Sequence, residues 1–188
     1  MVKKTLLTIG LLLSANALQA NEILQNDANR WFIGFTQASG SGTWSLSYND
    51  TTIYDDVDIS PDVTTFIVGK INKNQDRLAF VYSTSTLNSG ATKNIGIGYD
   101  AVITLQSLRS QYILPYWSGG LEYLNNSDSE LSGFSARVGL GFYYNINKDI
   151  ELNLGYKYNI YYMSGTNDSN IETYSSFNTV GFGLNYKF

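Results

Sequence analysis

Residues 177–188, FNTVGFGLNYKF, carry an apolar or aromatic side chain at every second position to the last residue: Val180, Phe182, Leu184, Tyr186 and Phe188. Thr179, Gly181, Gly183, Asn185 and Lys187 fill the alternate positions. Successive side chains of a strand point to opposite faces, so this segment is a strand with one oily face and one small or polar face. A soluble strand would bury its oily face against a core. This ladder runs to the final atom of the chain, and lipid is the simplest partner for it.

The same alternation recurs upstream. Arg30 to Ala38 sets Trp31, Ile33 and Phe35 against Gly34 and Thr36, and Arg77 to Thr86 sets Leu78, Phe80 and Tyr82 against Arg77, Ala79, Val81 and Ser83. Ile95 to Leu105, Gln111 to Tyr123, Phe134 to Ile146 and Ile150 to Tyr162 follow the pattern. Val63 to Ile71 reads as a strand too, but both its faces are fairly apolar and its inward face stays open. Each of the eight is near the 9–11 residues that cross a bilayer at a tilt. An open sheet edge in lipid would leave backbone groups unpaired, so the expected fold is all-β: a closed, antiparallel, eight-stranded up-and-down transmembrane barrel. Short turns after the second and sixth strands fall on the side that holds both termini, which makes that side periplasmic and places the long connections outside the cell.

The N-terminus reads as an export signal. Lys3 and Lys4 precede an apolar run, Leu6 to Leu13, that is too short to span a bilayer, and small residues follow up to Ala20. The expected organisation is a cleaved signal peptide at 1–20, a periplasmic lead-in at 21–29 and the barrel domain at 30–188. Twelve basic residues less Lys3 and Lys4 leave 10 against 16 acidic, a mature charge of −6 and a poor match to nucleic acid. No later stretch is apolar for the roughly 18 residues a membrane helix needs.

The signal, the eight amphipathic strands and the ending Tyr186-Lys187-Phe188 resemble the small outer-membrane β-barrel family: the OmpA transmembrane domain, OmpX and Ail, and the opacity-type porin-like proteins. The resemblance covers nearly all of the mature chain. It implies a Gram-negative outer membrane, contact with its lipid and lipopolysaccharide, and a monomer. It also implies that Phe182, Leu184, Tyr186 and Phe188 form the signal read by the barrel-assembly machinery. With no segment after Phe188, the wall-anchoring role of full-length OmpA proteins is not expected.

Three strands share a glycine repeat: Ile95-Gly96-Ile97-Gly98-Tyr99, Val138-Gly139-Leu140-Gly141-Phe142 and Val180-Gly181-Phe182-Gly183-Leu184. Those glycines point inward, and the lumen of an eight-stranded barrel holds little beyond its own side chains. They are expected to make room for long charged residues from other strands. Arg77, Asp100, Glu122, Arg137, Glu151, Lys157 and Lys187 all fall on inward faces. Counted from the turns, Glu122 is expected to pair with Arg137, Asp100 with Lys157, and Glu151 with Lys187. The reading is a plug of paired charges rather than a channel.

The connection Gly40 to Val63 alternates as well, which predicts a hairpin protruding beyond the membrane and centred on Asp50 and Thr51. Trp31 then lies opposite Lys70, and Gly40 to Gly42 opposite Ser60 to Asp62. Trp44, Tyr48, Tyr54, Asp55, Asp56 and Asp58 are the candidates for contact with an extracellular partner. The acids lack EF-hand spacing, so solvation is preferred to a Ca²⁺ site and no metal or other cofactor is expected. Outer-membrane enzymes of similar design use a catalytic histidine, and this chain has none. The function expected is non-enzymatic: envelope integrity, adhesion or recognition through the loops, chiefly 40–62. The alternative is a narrow-pore or OmpW-like barrel for small solutes.

Overall fold

The computed structural model describes residues 27–87, 90–103, 112–126, 128–165 and 170–188, so the signal expected at 1–20 lies outside the described residues. The strands are β1 (Trp31–Tyr48), β2 (Thr51–Ile59), β3 (Asp62–Ile71), β4 (Arg77–Leu87), β5 (Gly90–Val102), β6 (Ile113–Asn126), β7 (Leu131–Asn145), β8 (Ile150–Gly165) and β9 (Ile171–Lys187). All pairings are antiparallel between neighbours from β3 to β9, and β1 pairs with both β3 and β9. The barrel therefore closes on eight strands, and β2 is the returning arm of a ribbon that leaves it.

Hydrogen-bonded partners followed once round the wall run Gln37, Thr64, Thr84, Lys93, Asn125, Ser132, Ser164, Glu172 and back to Ser47. The circuit returns ten residues further along β1. A stagger of ten over eight strands, at ordinary strand rise and spacing, tilts the strands by about 41° and gives a backbone radius of about 8 Å. The end holding Arg30 and Phe188 is called here the near end, and the opposite end the far end.

Alternation decides which face each residue takes. Ile33, Phe80, Ile97, Leu121, Val138 and Phe182 stand outward and exposed, while Phe32, Val81, Glu122, Tyr143 and Asn185 point in. The face left open on β3 is settled: Phe66 and Val68 point out with Lys70, and Thr65, Gly69 and Ile71 point in.

Three expectations from the sequence need correction. First, β1 does not stop at Ala38 but continues to Tyr48, paired with β9 along its whole length. Secondly, the strands expected to stop at Tyr123 and Tyr162 run further, with β6 reaching Asn126 and β8 reaching Gly165. Beyond the membrane both faces of a ribbon can be polar, so the oily alternation that marks a strand disappears while the ladder goes on. Thirdly, the ribbon tip is Asn49 and Asp50, with φ of 49° and 60°, rather than Asp50 and Thr51. These are the positive angles of a two-residue type I′ hairpin, which Asn and Asp tolerate.

Trp31 does face Lys70, and Gly42 faces Ile59, but the tip pairs Tyr48 with Thr51. Irregularities between Trp44 and Ser47 absorb the shift, with Asp56 on the other arm at φ 48°. Between β2 and β3 the chain breaks at Ser60-Pro61, where the Gly40 amide donates to the Pro61 carbonyl at 3.0 Å and keeps the ribbon in register.

Candidate functional site: a filled lumen beneath a far-end ribbon

The interior is a stack of polar and aromatic layers. At the near end Lys187 Nζ donates to Asp27 Oδ2 at 2.6 Å and to Asn145 Oδ1 at 2.9 Å. Arg30 ties the same rim together, donating to Asp27, to Asp149 and to the carbonyls of Lys148 and Lys187. Above it Arg77 makes a two-pronged contact with Glu151, 2.6 Å on each prong, and Asn185 Nδ2 donates to the same carboxylate at 2.8 Å. The Arg77 guanidinium lies 3.3 Å from the centre of the Tyr143 ring, a cation held by its carboxylate and by an aromatic face.

Tyr143 then donates to Asp100 and stacks on Tyr116 at 4.4 Å, and Tyr116 donates to Asn153 Oδ1 at 2.9 Å. In the next layer Arg137 pairs with Glu122, which also accepts from Ser83 at 3.1 Å. Asn94 donates to Ser83 and to the Tyr161 hydroxyl. A cavity of about 20 Å³ lies here, with Glu122, Arg137, Lys157, Thr36, Ser135 and Thr179 among its lining residues. That is space for about one water molecule. Ile59, Leu124, Leu131, Tyr161, Met163 and Phe177 close the far end as an apolar cap, with Trp44 and Val63 packed against it.

Above the cap, β1 runs between β9 on one side and β2 on the other. Among the described residues β2 has no strand on its second edge. Ile53 and Tyr54 are more than half exposed, and Trp44 stacks on Tyr54 at 5.9 Å. Asp55 and Asp56 are both exposed, Ser45 donates to the Asp55 carboxylate and accepts from the Asp56 backbone amide, and the charges discourage a second copy from adding to the edge. Among the described residues no cluster of three or more acidic side chains assembles into a metal-binding group.

The family model described as outer membrane protein beta-barrel domain matches residues 5–188. The chain belongs to that family. No curated protein matches its sequence. Among solved structures this outer-membrane barrel is similar to Neisserial surface protein A, at 17% identity over 84% of this chain and 97% of that one, with a TM-score of 0.51. It is equally similar to a de novo designed transmembrane β-barrel, at 13% identity over 87% of this chain and 99% of that one, also at 0.51. The N-terminal barrel domain of Pseudomonas aeruginosa OprF matches at 15% identity over 82% and 97%, with a TM-score of 0.46. Likeness to a natural surface protein and to a designed barrel alike speaks for the fold.

Within this outer-membrane barrel all seven charged residues expected inside do face the lumen. Glu122 meets Arg137. The other two pairings differ from the expected ones: Glu151 takes Arg77, leaving Lys187 to Asp27, and Asp100 takes the Tyr143 hydroxyl while Lys157 lines the cavity. Levels counted from the turns ignore the stagger, which slides each strand past the next and brings Arg77 up to Glu151 across the lumen. Asp27 and Arg30 were missed because they lie in or beside a lead-in without alternation. A buried acid before the first strand carries no pattern that a sequence can display.

The inward glycines hold the space for these side chains. A Cβ on Gly98 or Gly120 would sit 2.8 or 2.7 Å from the Arg137 guanidinium, and one on Gly139 would sit 2.8 Å from the Lys157 stem. At Gly141 it would meet the Leu154 carbonyl oxygen at 2.4 Å and the Tyr116 hydroxyl at 2.6 Å. Gly141→Val is therefore expected to destabilise the barrel by about 1–3 kcal/mol through overpacking, read as a lower urea midpoint in phospholipid vesicles.

Proposed function

We propose that the chain is a non-enzymatic outer-membrane barrel whose lumen is a structural plug and whose far-end ribbon, residues 40–62, meets partners outside the cell. The observation that carries this reading is the occupied interior: among the described residues, ion pairs, stacked tyrosines and an apolar cap fill the lumen, and the cavity beside Glu122 and Arg137 measures about 20 Å³, far below what a hydrated solute needs. The ribbon projects beyond the barrel wall and is available to other molecules. It presents Trp44, Tyr48 and Tyr54 as amphipathic contact surface, Asp55, Asp56 and Asp58 as charge, and the open edge of β2 as backbone donors and acceptors.

In this reading residues 1–20 are a cleaved signal, the near end faces the periplasm and the far end faces outward. The mature monomer sits in phospholipid and lipopolysaccharide. Phe182, Leu184, Tyr186 and Phe188 present the outward ladder to the assembly machinery. Arg77, Asp100, Glu122, Arg137, Glu151, Lys157 and Lys187 serve rigidity rather than permeation.

Two measurements test it. Purified protein in a planar bilayer is expected to show no defined channel, and a stable conductance from correctly folded protein would replace the plug with the small-solute reading. Deleting residues 43–58, with the ends joined by a short Gly-Ser turn, is expected to leave heat-modifiable gel migration intact and to abolish cell-surface binding. Full retention of binding would remove the ribbon from the interaction.

A further inference from the structure

The outward apolar belt is not level. At a tilt of about 41°, one residue along a strand climbs about 2.5 Å and one step across the sheet about 3.2 Å. On the β7 wall the belt runs from Tyr144 to Phe134, close to the 25 Å that spans a bilayer. On β3 and β4 it runs only from Val68 and Leu78 to Phe66 and Tyr82, about 10 Å on the same scale.

Above Phe35, Phe66 and Tyr82 the outward positions turn polar. Thr64 donates to Gln37 at 2.7 Å, Ser39 donates to Asp62 at 2.6 Å, and Thr84 and Thr86 follow on β4. Ser39, Thr84 and Asp62 stand about 5–8 Å above Gln37, and Ala136, Tyr123 and Phe134 stand at about 6–11 Å on the facing wall. At one height, then, one wall offers hydroxyls and a carboxylate while the other offers hydrocarbon.

We propose that the β1–β3–β4 wall holds the bilayer thin, with the polar headgroup layer of the far leaflet resting against Gln37, Ser39, Asp62 and Thr84. A full-thickness leaflet would force the Asp62 carboxylate into hydrocarbon, and a short apolar face draws the bilayer down to match it. Rigid tilting of the barrel does not solve the mismatch. It would draw the near-end turn of the same wall, Asn72 to Asp76 with exposed Lys73 and Asn74, into the lipid. The narrow belt is thus met by deforming the bilayer on one side. This inference rests on the fold and stands apart from the role assigned to the ribbon.

The chain has no cysteine, so single-cysteine variants can carry a polarity-sensitive fluorophore. Labels at Ser39, Thr84, Ala136 and Asn74 would be read in palmitoyl-oleoyl phosphatidylcholine vesicles, with folding checked by heat-modifiable migration. Ser39 and Thr84 are expected to report water and headgroups, Ala136 hydrocarbon and Asn74 water. Hydrocarbon-like emission from Ser39 and Thr84 overturns the proposal, and hydrocarbon-like emission from Asn74 replaces thinning with tilt. As a second measurement, Gln37→Leu/Thr64→Leu/Thr84→Leu extends the belt. It is expected to raise severalfold the ratio of folding yield in thick over thin vesicles, and an unchanged ratio counts against the proposal.

Discussion

Glu151→Ala is expected to cost the folded barrel about 3–5 kcal/mol, among the largest losses from any single lumen substitution. Glu151 and Arg77 are both essentially inaccessible, 0% and 1% exposed, and the carboxylate takes both prongs of the guanidinium together with the Asn185 amide. Removing it strands Arg77, whose Nε has no hydrogen-bond partner among the described residues, against the Tyr143 ring in a buried site. Arg77→Met/Glu151→Leu removes both charges and is expected to recover most of the loss, because a paired charge in a closed interior is replaceable by apolar volume. A double-mutant cycle on urea unfolding in vesicles also separates the pairing seen here from the one expected on sequence levels. Coupling of Glu151 should be large with Arg77 and small with Lys187, which Asp27 and Asn145 already hold. Comparable coupling to both cations would mean that the lumen charges act as a diffuse field rather than as pairs.

Much of this was written in the alternation. Every outward residue from Trp31 to Phe35, Leu78 to Tyr82 and Val180 to Phe188 is exposed as the period-2 reading requires, since one oily face repeated eight times leaves little choice but a closed barrel. The lumen was legible as a set of residues because inward parity is local. It was not legible as a set of contacts. Which cation meets Glu151 depends on the stagger of ten around the whole wall, a sum over eight pairings that no single strand records. Above the membrane the signal faded for a different reason. Asn125 and Ser132 continue their ladder with polar residues on the outer side, so the structure persists where the contrast that announces it has gone. Val63 to Ile71 stayed ambiguous because its inward Ile67 and Ile71 pack against Phe32 and Ala79 in an apolar pocket of an otherwise polar lumen.

Val138→Arg is expected to cost about 2–4 kcal/mol, the price of an arginine facing lipid near mid-bilayer. Val138 is 60% exposed on β7, midway along the outward run from Phe134 to Tyr144. Its neighbour Arg137 carries the same side chain one residue earlier and is held by Glu122, in space cleared by Gly98 and Gly120. The two positions differ only in parity, so the substitution isolates the face of the strand from its composition, propensity and height. Thr84→Arg and Ala136→Arg supply the comparison at one height, about 6 Å above Gln37. On the wall where the apolar belt is short, Thr84→Arg is expected to cost no more than about 1 kcal/mol, as charges near a membrane interface do. On the β7 wall Ala136→Arg is expected to cost more. Urea unfolding of the three variants in the same vesicles reads the difference. A loss below about 1 kcal/mol at Val138 would place that face outside the hydrocarbon. Equal losses at Ala136 and Thr84 would restore a level belt around the barrel. A large loss at Ala136 beside a small one at Thr84 would mean that one sequence rule, an oily residue at every second position, sets the depth of the membrane strand by strand rather than once for the whole protein.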